Sequence, residues 1–123
     1  MSRRDYIAHK ETARKIVHER LAHFAPRYHE LGHPEPLQKL SRVGGRISVR
    51  NQRSRWGSCS RSGNLNFNYR IASLRPELQD YIVVHELCHL KEFNHKEGFW
   101  ALVALTVPDW QALRAELRAI ATQ

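Results

Sequence analysis

The first third of the chain has the hydrophobic pattern of a long helix. Its apolar residues recur at intervals of three and four positions, as the inner face of a helix requires: Ile7, Ala13, Ile16, Val17, Leu21 and Phe24. Pro26 has no amide hydrogen for the helical hydrogen bonds, so we expect this helix to stop there. The stretch that follows predicts a loop around Gly32, His33, Pro34 and Pro36.

The middle of the chain alternates between apolar and polar residues, which predicts strands. The alternation runs through ISVRNQ, residues 47–52, and again through LNFNYRIA, residues 65–72. Between them the sequence SGN at residues 62–64 is a turn signal. The simplest structure for these segments is a short antiparallel sheet of two or three strands.

The last third of the chain predicts three helices. Ser73 can cap the first, and Pro76 fits its first turn, so this helix is expected from about Pro76 to about Phe93. A second helix is expected over residues 97–107, and Asp109 can cap a third. The third helix has one apolar stripe, which consists of Trp110, Leu113, Leu117 and Ile120. The predicted class is therefore α+β, with an N-terminal helix, a small antiparallel sheet and three further helices.

Length and composition are those of a single globular domain. The 123 residues, 41% hydrophobic and 26% charged, can bury a core, so we expect one domain over residues 1–123. Two cysteines are too few for a disulfide framework and indicate a reducing compartment. The N-terminus lacks the apolar run of a signal peptide, and no apolar segment approaches the roughly 20 residues that span a bilayer. We therefore expect a cytoplasmic monomer that contacts no membrane.

The formal net charge of +8 leaves two interpretations open. A basic excess favours polyanionic partners, nucleic acid above all. The basic residues are spread along the chain, and polar residues interrupt the densest group, Arg50, Arg53, Arg55 and Arg61. A solvated basic surface without such a partner fits the charge equally well.

The segment HELCH, residues 85–89, contains the strongest chemical signal. At about 100° per residue, His85 and His89 lie one turn apart on one helix face, so one metal ion can take a nitrogen from each. Glu86 projects to the side of that face, where it can accept a proton from a metal-bound water. Most other residues of this helix are apolar, so the helix should be buried in the centre of the domain.

A catalytic zinc site needs a third protein ligand and one open position. His95 is the best candidate, because it follows His89 by six residues, the interval in zincins that continue HExxH with xxGxxH. The glycine of that pattern is Glu92 here, and Asn94 can turn the chain instead. Glu92 and Glu97 are alternative third ligands.

Three separate segments give the chain a family resemblance: RWGSC at 55–59, HELCHL at 85–90 and NHKEGFW at 94–100. Over roughly residues 45–110 the sequence resembles the YgjP-like metallopeptidases, which are zincins distantly related to the SprT-like proteins. The resemblance implies a zinc ion held by His85, His89 and His95, with Glu86 as general base. It also implies a minimal zincin fold in which the zinc helix packs under a small sheet. Many members carry further N-terminal strands, and from this sequence we expect a smaller sheet than theirs.

The RWGSC segment has two interpretations. Trp56, Gly57 and Ser58 can line an edge strand that pairs with an extended substrate, since glycine allows close backbone approach. Alternatively, the segment is a tight bend with Trp56 in the core. Cys59 can be a fourth, inhibitory zinc ligand or a packing residue. We expect packing roles for three other residues, namely Cys88, Phe99 and Trp100.

The predicted activity is hydrolysis of a peptide bond in a protein or peptide substrate, by a zinc-activated water with Glu86 as base. The oxyanion needs a further donor, for which the β segment offers four candidates: Asn66, Asn68, Tyr69 and Arg70. Three alternatives keep the zinc ion: a basic nucleic-acid-binding module with a structural zinc site, a hydrolase of non-peptide bonds, and a protease of DNA-bound proteins. The last requires salt-dependent DNA affinity.

Overall fold

The helices and strands follow one another in the order expected for an α+β fold. The computed structural model describes residues 1–31 and 46–120, so the loop predicted around residues 32–36 lies outside the described part. The elements in chain order are α1 (Arg3–Glu30), β1 (Ile47–Arg50), β2 (Gly57–Cys59), β3 (Leu65–Asn68), a 3₁₀ helix (Tyr69–Ser73), α2 (Pro76–His89), α3 (Glu97–Ala104) and α4 (Trp110–Ala119).

Helix α1 begins at a side-chain cap and continues past Pro26. The Ser2 hydroxyl accepts a hydrogen bond from the Asp5 amide at 3.0 Å, which satisfies one free amide of the first turn. The prediction that Pro26 ends the helix is wrong. The last turn is held by Tyr28, which is buried and donates its hydroxyl proton to the Leu102 carbonyl at 2.8 Å. Packing of this turn offsets the backbone hydrogen bond that Pro26 removes. Ile7, predicted on the apolar face, is 49% exposed.

The sheet is mixed rather than purely antiparallel. Its strand order is β1-β3-β2, with β2 antiparallel and β1 parallel to β3. The predicted turn joins β2 to β3, and Gly63 takes the left-handed φ of 93° that this turn requires. The parallel pairing of β1 differs from the prediction, because the alternation of side chains sets the two faces of a strand but not its direction.

Strand β3 is shorter than the alternation predicts. The Asn68 side chain accepts a hydrogen bond from the Arg70 amide at 3.1 Å and starts the 3₁₀ helix there. Its Nδ2 also donates to the Gln52 and Arg55 carbonyls, at 2.7 Å and 2.9 Å. The fully buried Asn68 therefore ties the end of β3 to the segment that connects β1 and β2.

The helix ends differ from the predicted ones at several places. Helix α2 has Pro76 in its first turn as predicted, but Arg75 precedes it as the N-cap, and the Ser73 hydroxyl donates to the Arg70 carbonyl instead. Helix α2 ends at His89 instead of Phe93, and α3 ends at Ala104 instead of Val107. Asp109 is the N-cap residue of α4 without a side-chain cap hydrogen bond, and Ile120 lies beyond the last helical residue.

Helix α2 occupies the centre of the core, as its apolar sequence predicts. It contacts α1, β2, α3 and α4. Arg20 of α1 donates both guanidinium hydrogen bonds to the Asp80 carboxylate of α2, which fixes these two helices at the edge of the core. Within the described part of the chain, no helix combines the length and apolar character needed to cross a membrane.

Candidate active site

Three histidine side chains meet at the C-terminal end of α2. His85 and His89 lie one turn apart on the helix, and His95 returns from the segment between α2 and α3. The Nε2 atoms of His85 and His89 are 3.1 Å apart. Those of His89 and His95 are 2.9 Å apart, and those of His95 and His85 are 3.2 Å apart. All three rings therefore direct the same nitrogen at one point.

This triangle of nitrogens fits a metal ion better than a hydrogen-bond cluster. A neutral imidazole nitrogen either donates or accepts, so the three mutual contacts cannot all be hydrogen bonds. Nitrogen ligands 2.0–2.1 Å from a tetrahedral zinc ion lie about 3.3 Å from each other, close to the spacing here. Together His85, His89 and His95 could hold one metal ion.

Neighbouring groups hold the rings in this orientation. His89 Nδ1 donates to the Glu92 carbonyl at 2.8 Å, which leaves the lone pair of the neutral ring on Nε2. The ring of Phe99 stacks on His89 at a centroid distance of 4.3 Å. The indole of Trp100 donates to the carbonyl of His95 at 3.1 Å. Phe99 is fully buried and Trp100 half-buried, so both pack as predicted and also support the histidines.

The two alternative third ligands have other positions. Glu92 contacts His89 through its backbone carbonyl, and Glu97 is exposed in the first turn of α3. Within the described residues, neither carboxylate belongs to the cluster that could hold a metal. The Asn94 side chain accepts a hydrogen bond from the Lys96 amide at 3.1 Å, a local turn that helps bring His95 back towards α2.

Burial keeps the histidines in the neutral form that binds metals. It is the main cause that lowers the pKa of His85 to about 3, and His89, His95 and Arg114 lower it further. The pKa of His89 and that of His95 are also lowered, in both cases mainly by burial. The nitrogen lone pairs are therefore available for a metal ion at neutral pH.

Glu86 is a buried carboxyl group beside the three histidines. It is 5% exposed, and burial raises its pKa to about 8, against an opposing effect of Arg55. No hydrogen bond found in the described part of the chain involves its carboxylate. A carboxyl group with a pKa near neutrality can both accept and donate a proton at physiological pH.

A cleft of about 490 Å³ opens onto this centre. One wall contains Trp56 and Gly57 beside the edge strand β2, and another is formed by α4. His85, Glu86 and His95 lie at its base. Such a cleft has a polar centre and, among the described residues, a strand edge without a pairing strand, and it suits an extended polypeptide.

Comparison with known proteins identifies the chain. The sequence model of the YgjP-like metallopeptidase domain matches residues 6–120. The chain belongs to this family. It is a metallopeptidase, and the resemblance seen in the three motifs is confirmed.

The fold of this YgjP-like domain also occurs in a solved structure. The crystal structure of the metallopeptidase zymogen of Pyrococcus abyssi abylysin is similar, with a TM-score of 0.65 and 21% sequence identity. The similarity covers 84% of this chain and 92% of that chain, and shows a shared fold. The predicted α+β class is thereby confirmed. A search of curated proteins gave no match.

The remaining residues predicted near the site of the YgjP-like domain are divided between cleft and core. Ser58 follows Gly57 on β2 but does not line the cleft, because successive side chains of a strand point to opposite faces. Trp56 lines the cleft and also packs against the core. Cys59 is half-buried outside the histidine cluster, and Cys88 is buried with its thiol 3.3 Å from the Tyr28 hydroxyl.

Sequence reasoning missed several residues of the cleft. None of the four β-segment candidates for oxyanion donors lines it, whereas Tyr81, Arg55, Arg114 and Arg118 do. Tyr81 precedes His85 by one turn of α2, so helical spacing was a signal that could have found it. Its hydroxyl lies 3.4 Å from His85 Nδ1. The arginines of α4 reach the cleft through tertiary packing, for which the sequence has no local signal.

Proposed function

We propose that this metallopeptidase is zinc-dependent, with His85, His89 and His95 as the protein ligands and Glu86 as general base. The observation that carries the proposal is the convergence of three Nε2 atoms, 2.9–3.2 Å apart, beside a buried carboxyl group. Three imidazoles are a ligand set of catalytic zinc, which keeps one coordination position open. Bound there, zinc would supply Lewis acidity that polarises a carbonyl group and makes a water molecule more acidic.

The protein residues transfer the proton and bind the substrate. Glu86 accepts the proton of the attacking water and passes it to the leaving amine. The edge strand β2, next to Glu86 at Gly57, binds an extended protein or peptide substrate through backbone hydrogen bonds.

The test combines metal content with peptidase activity. We expect about one zinc ion per chain in the wild type and much weaker zinc binding in His95→Ala. Glu86→Gln should retain zinc and lose at least about 100-fold in kcat/KM on a cleavable peptide. Glu77→Gln is the matched control, because Glu77 is an exposed carboxylate in the first turn of the same helix.

Two results would contradict the proposal. Undiminished zinc in His95→Ala would place the third ligand elsewhere, with Glu92 and Glu97 as the next residues to change. Full activity in Glu86→Gln would remove Glu86 as the base. If the zinc ion only holds a nucleic-acid-binding fold together, the wild type should bind DNA and cleave no peptide, and Glu86→Gln should keep the same zinc content and DNA affinity.

A further inference from the structure

Helix α4 brings two arginines into the cleft that contains the candidate catalytic residues. Arg114 and Arg118 line it together with Leu117, and Gly57 of β2, His85 and Glu86 line the same cleft. They are four residues apart, so both project from the same face of the helix. This wall of the cleft is therefore basic.

The two arginines have no acidic partner in the described part of the chain. The ion pairs found there involve Arg14, Arg20 and Arg75. Glu116, on the same helix, pairs with Arg75 and accepts its hydrogen bonds at 2.6 Å and 2.8 Å. Two like charges four residues apart repel each other, although Arg118 in the last turn of the helix also interacts favourably with the helix dipole.

Contacts hold Arg114 close to the histidines. Its guanidinium lies 5.2 Å from the ring centroid of Trp100, in cation–π geometry. Trp100 in turn stacks on Trp110 at 4.1 Å and donates its indole hydrogen bond to the His95 carbonyl. Arg114 also lies near enough to His85 and His95 to contribute to their lowered pKa. The positive charge is thus positioned at the reacting end of the cleft.

We propose that Arg114 and Arg118 form a carboxylate-binding subsite, so that the enzyme favours peptides with a carboxylate close to the scissile bond. The inference rests on the proposed peptidase function and names the class of its substrate. A guanidinium donates two parallel hydrogen bonds to a carboxylate, which matches the fork of an acidic side chain or of a free C-terminus. A carboxylate between the two cations also relieves their repulsion.

Matched peptides test the subsite. One pair of quenched fluorescent peptides differs only by Glu or Gln at each position next to the scissile bond, and a second pair by a C-terminal acid or amide. The first pair tests a carboxylate from an acidic side chain, and the second pair tests that of a free C-terminus. We expect kcat/KM to be at least about tenfold higher for the acid member of one pair, as for a hydrogen bond to a charged group.

Variants of Arg114 and Arg118 test whether these arginines cause the preference for the peptide with the carboxylate. In Arg114→Gln/Arg118→Gln the acid-to-amide ratio should fall towards one, and Arg114→Lys/Arg118→Lys should restore part of it. Arg4→Gln, an exposed arginine of α1 outside the cleft, should leave the ratio unchanged. The ratio does not depend on the folded fraction, so a general loss of stability does not imitate the effect.

Binding provides the second measurement. The same peptides are titrated into Glu86→Gln, with and without zinc, because a carboxylate that binds only the metal loses its advantage when zinc is removed. Equal affinities for the acid and amide members, or a preference that survives in the arginine double variant, would overturn the inference. So would tight binding of a short DNA oligonucleotide in place of the acidic peptides. If Glu86→Gln discriminates between the peptides in binding but the zinc-loaded wild type cleaves neither member of a pair, the proposed mechanism fails and the subsite stands.

Discussion

Gly57 shows how little space separates the edge strand β2 from the candidate base. A Cβ atom at residue 57 would lie 2.9 Å from Glu86 Cγ and 3.0 Å from Glu86 Oε2. It would also lie 3.2 Å from the Asn66 carbonyl oxygen, which is part of the backbone. An alanine at this position must therefore displace the Glu86 side chain.

We expect Gly57→Ala to lose about 10–100-fold in kcat/KM while it still binds zinc, since small displacements of catalytic groups cost this much. Gly98→Ala is the control, because its Cβ would meet Glu92 only at 3.7 Å, an ordinary contact, and alanine favours the helix. Peptidase assays and zinc analysis of both variants test the prediction. A fully active Gly57→Ala would show that the carboxylate does not work in the position seen here.

At the scale of single residues, the sequence predicts what lies on one helix. His85, Glu86 and His89 follow from the period of α2, because residues four apart must share a face. The closeness of Gly57 to Glu86, by contrast, joins two elements that are distant in sequence. Arg114 is a similar case, since its place beside His85 depends on how α4 packs against α2.

At the scale of elements, the last turn of α1 is fixed to the end of α3 by a buried hydroxyl group. Tyr28 donates to the Leu102 carbonyl at 2.8 Å, and its oxygen lies 2.9 Å from the Thr106 hydroxyl. Tyr28→Phe should lower the free energy of unfolding by about 1–3 kcal/mol, because the Leu102 carbonyl then keeps only the longer hydrogen bond from the Leu105 amide and the Thr106 hydroxyl loses its contact. Urea denaturation measures this, with Tyr6→Phe as control.

Tyr6 is a suitable control because its ring packs at 5.0 Å against Tyr69, while its hydroxyl makes none of the hydrogen bonds found in the described part. Tyr6→Phe should change the unfolding free energy by less than about 0.5 kcal/mol. Equal effects of the two substitutions would show that the Tyr28 hydrogen bonds do not hold α1 in place.

Element type was more predictable from the sequence than element ends or strand direction. The long apolar periods of α1 and α2 identify helices. The end of α1 was predicted wrongly from Pro26, because the tertiary packing of Tyr28 outweighs the tendency of proline to end a helix. The β3 alternation continues through Tyr69 and Ile71, which are indeed buried, although in a 3₁₀ helix. Burial pattern alone cannot distinguish these two conformations when a cap such as Asn68 intervenes.

At the scale of the whole molecule, the buried site should make stability depend on pH when the metal is chelated. Glu86 has a pKa of about 8 in the folded protein against 4.5 ordinarily, so the folded state binds more protons between these values. Stability therefore falls as the pH rises through that window. His85 has a pKa of about 3 against 6.5, so stability falls as the pH drops through that lower window. These two groups together place the optimum between the two ordinary values.

Glu86→Gln removes the part of this pH dependence that comes from Glu86 and leaves the part that comes from His85. Without an ionisable group at this position, the chelated variant should be more stable than the wild type at pH 8 by a few kcal/mol, since one pKa unit corresponds to about 1.36 kcal/mol. At pH 5 the difference should be much smaller, because the carboxyl group is protonated in the folded wild type. Urea denaturation in chelator at both pH values measures it, with Glu19→Gln, an exposed carboxylate of α1, as control. If wild type and Glu86→Gln lost stability equally between pH 5 and pH 8, Glu86 would not be a buried carboxyl group with a raised pKa in the metal-free protein.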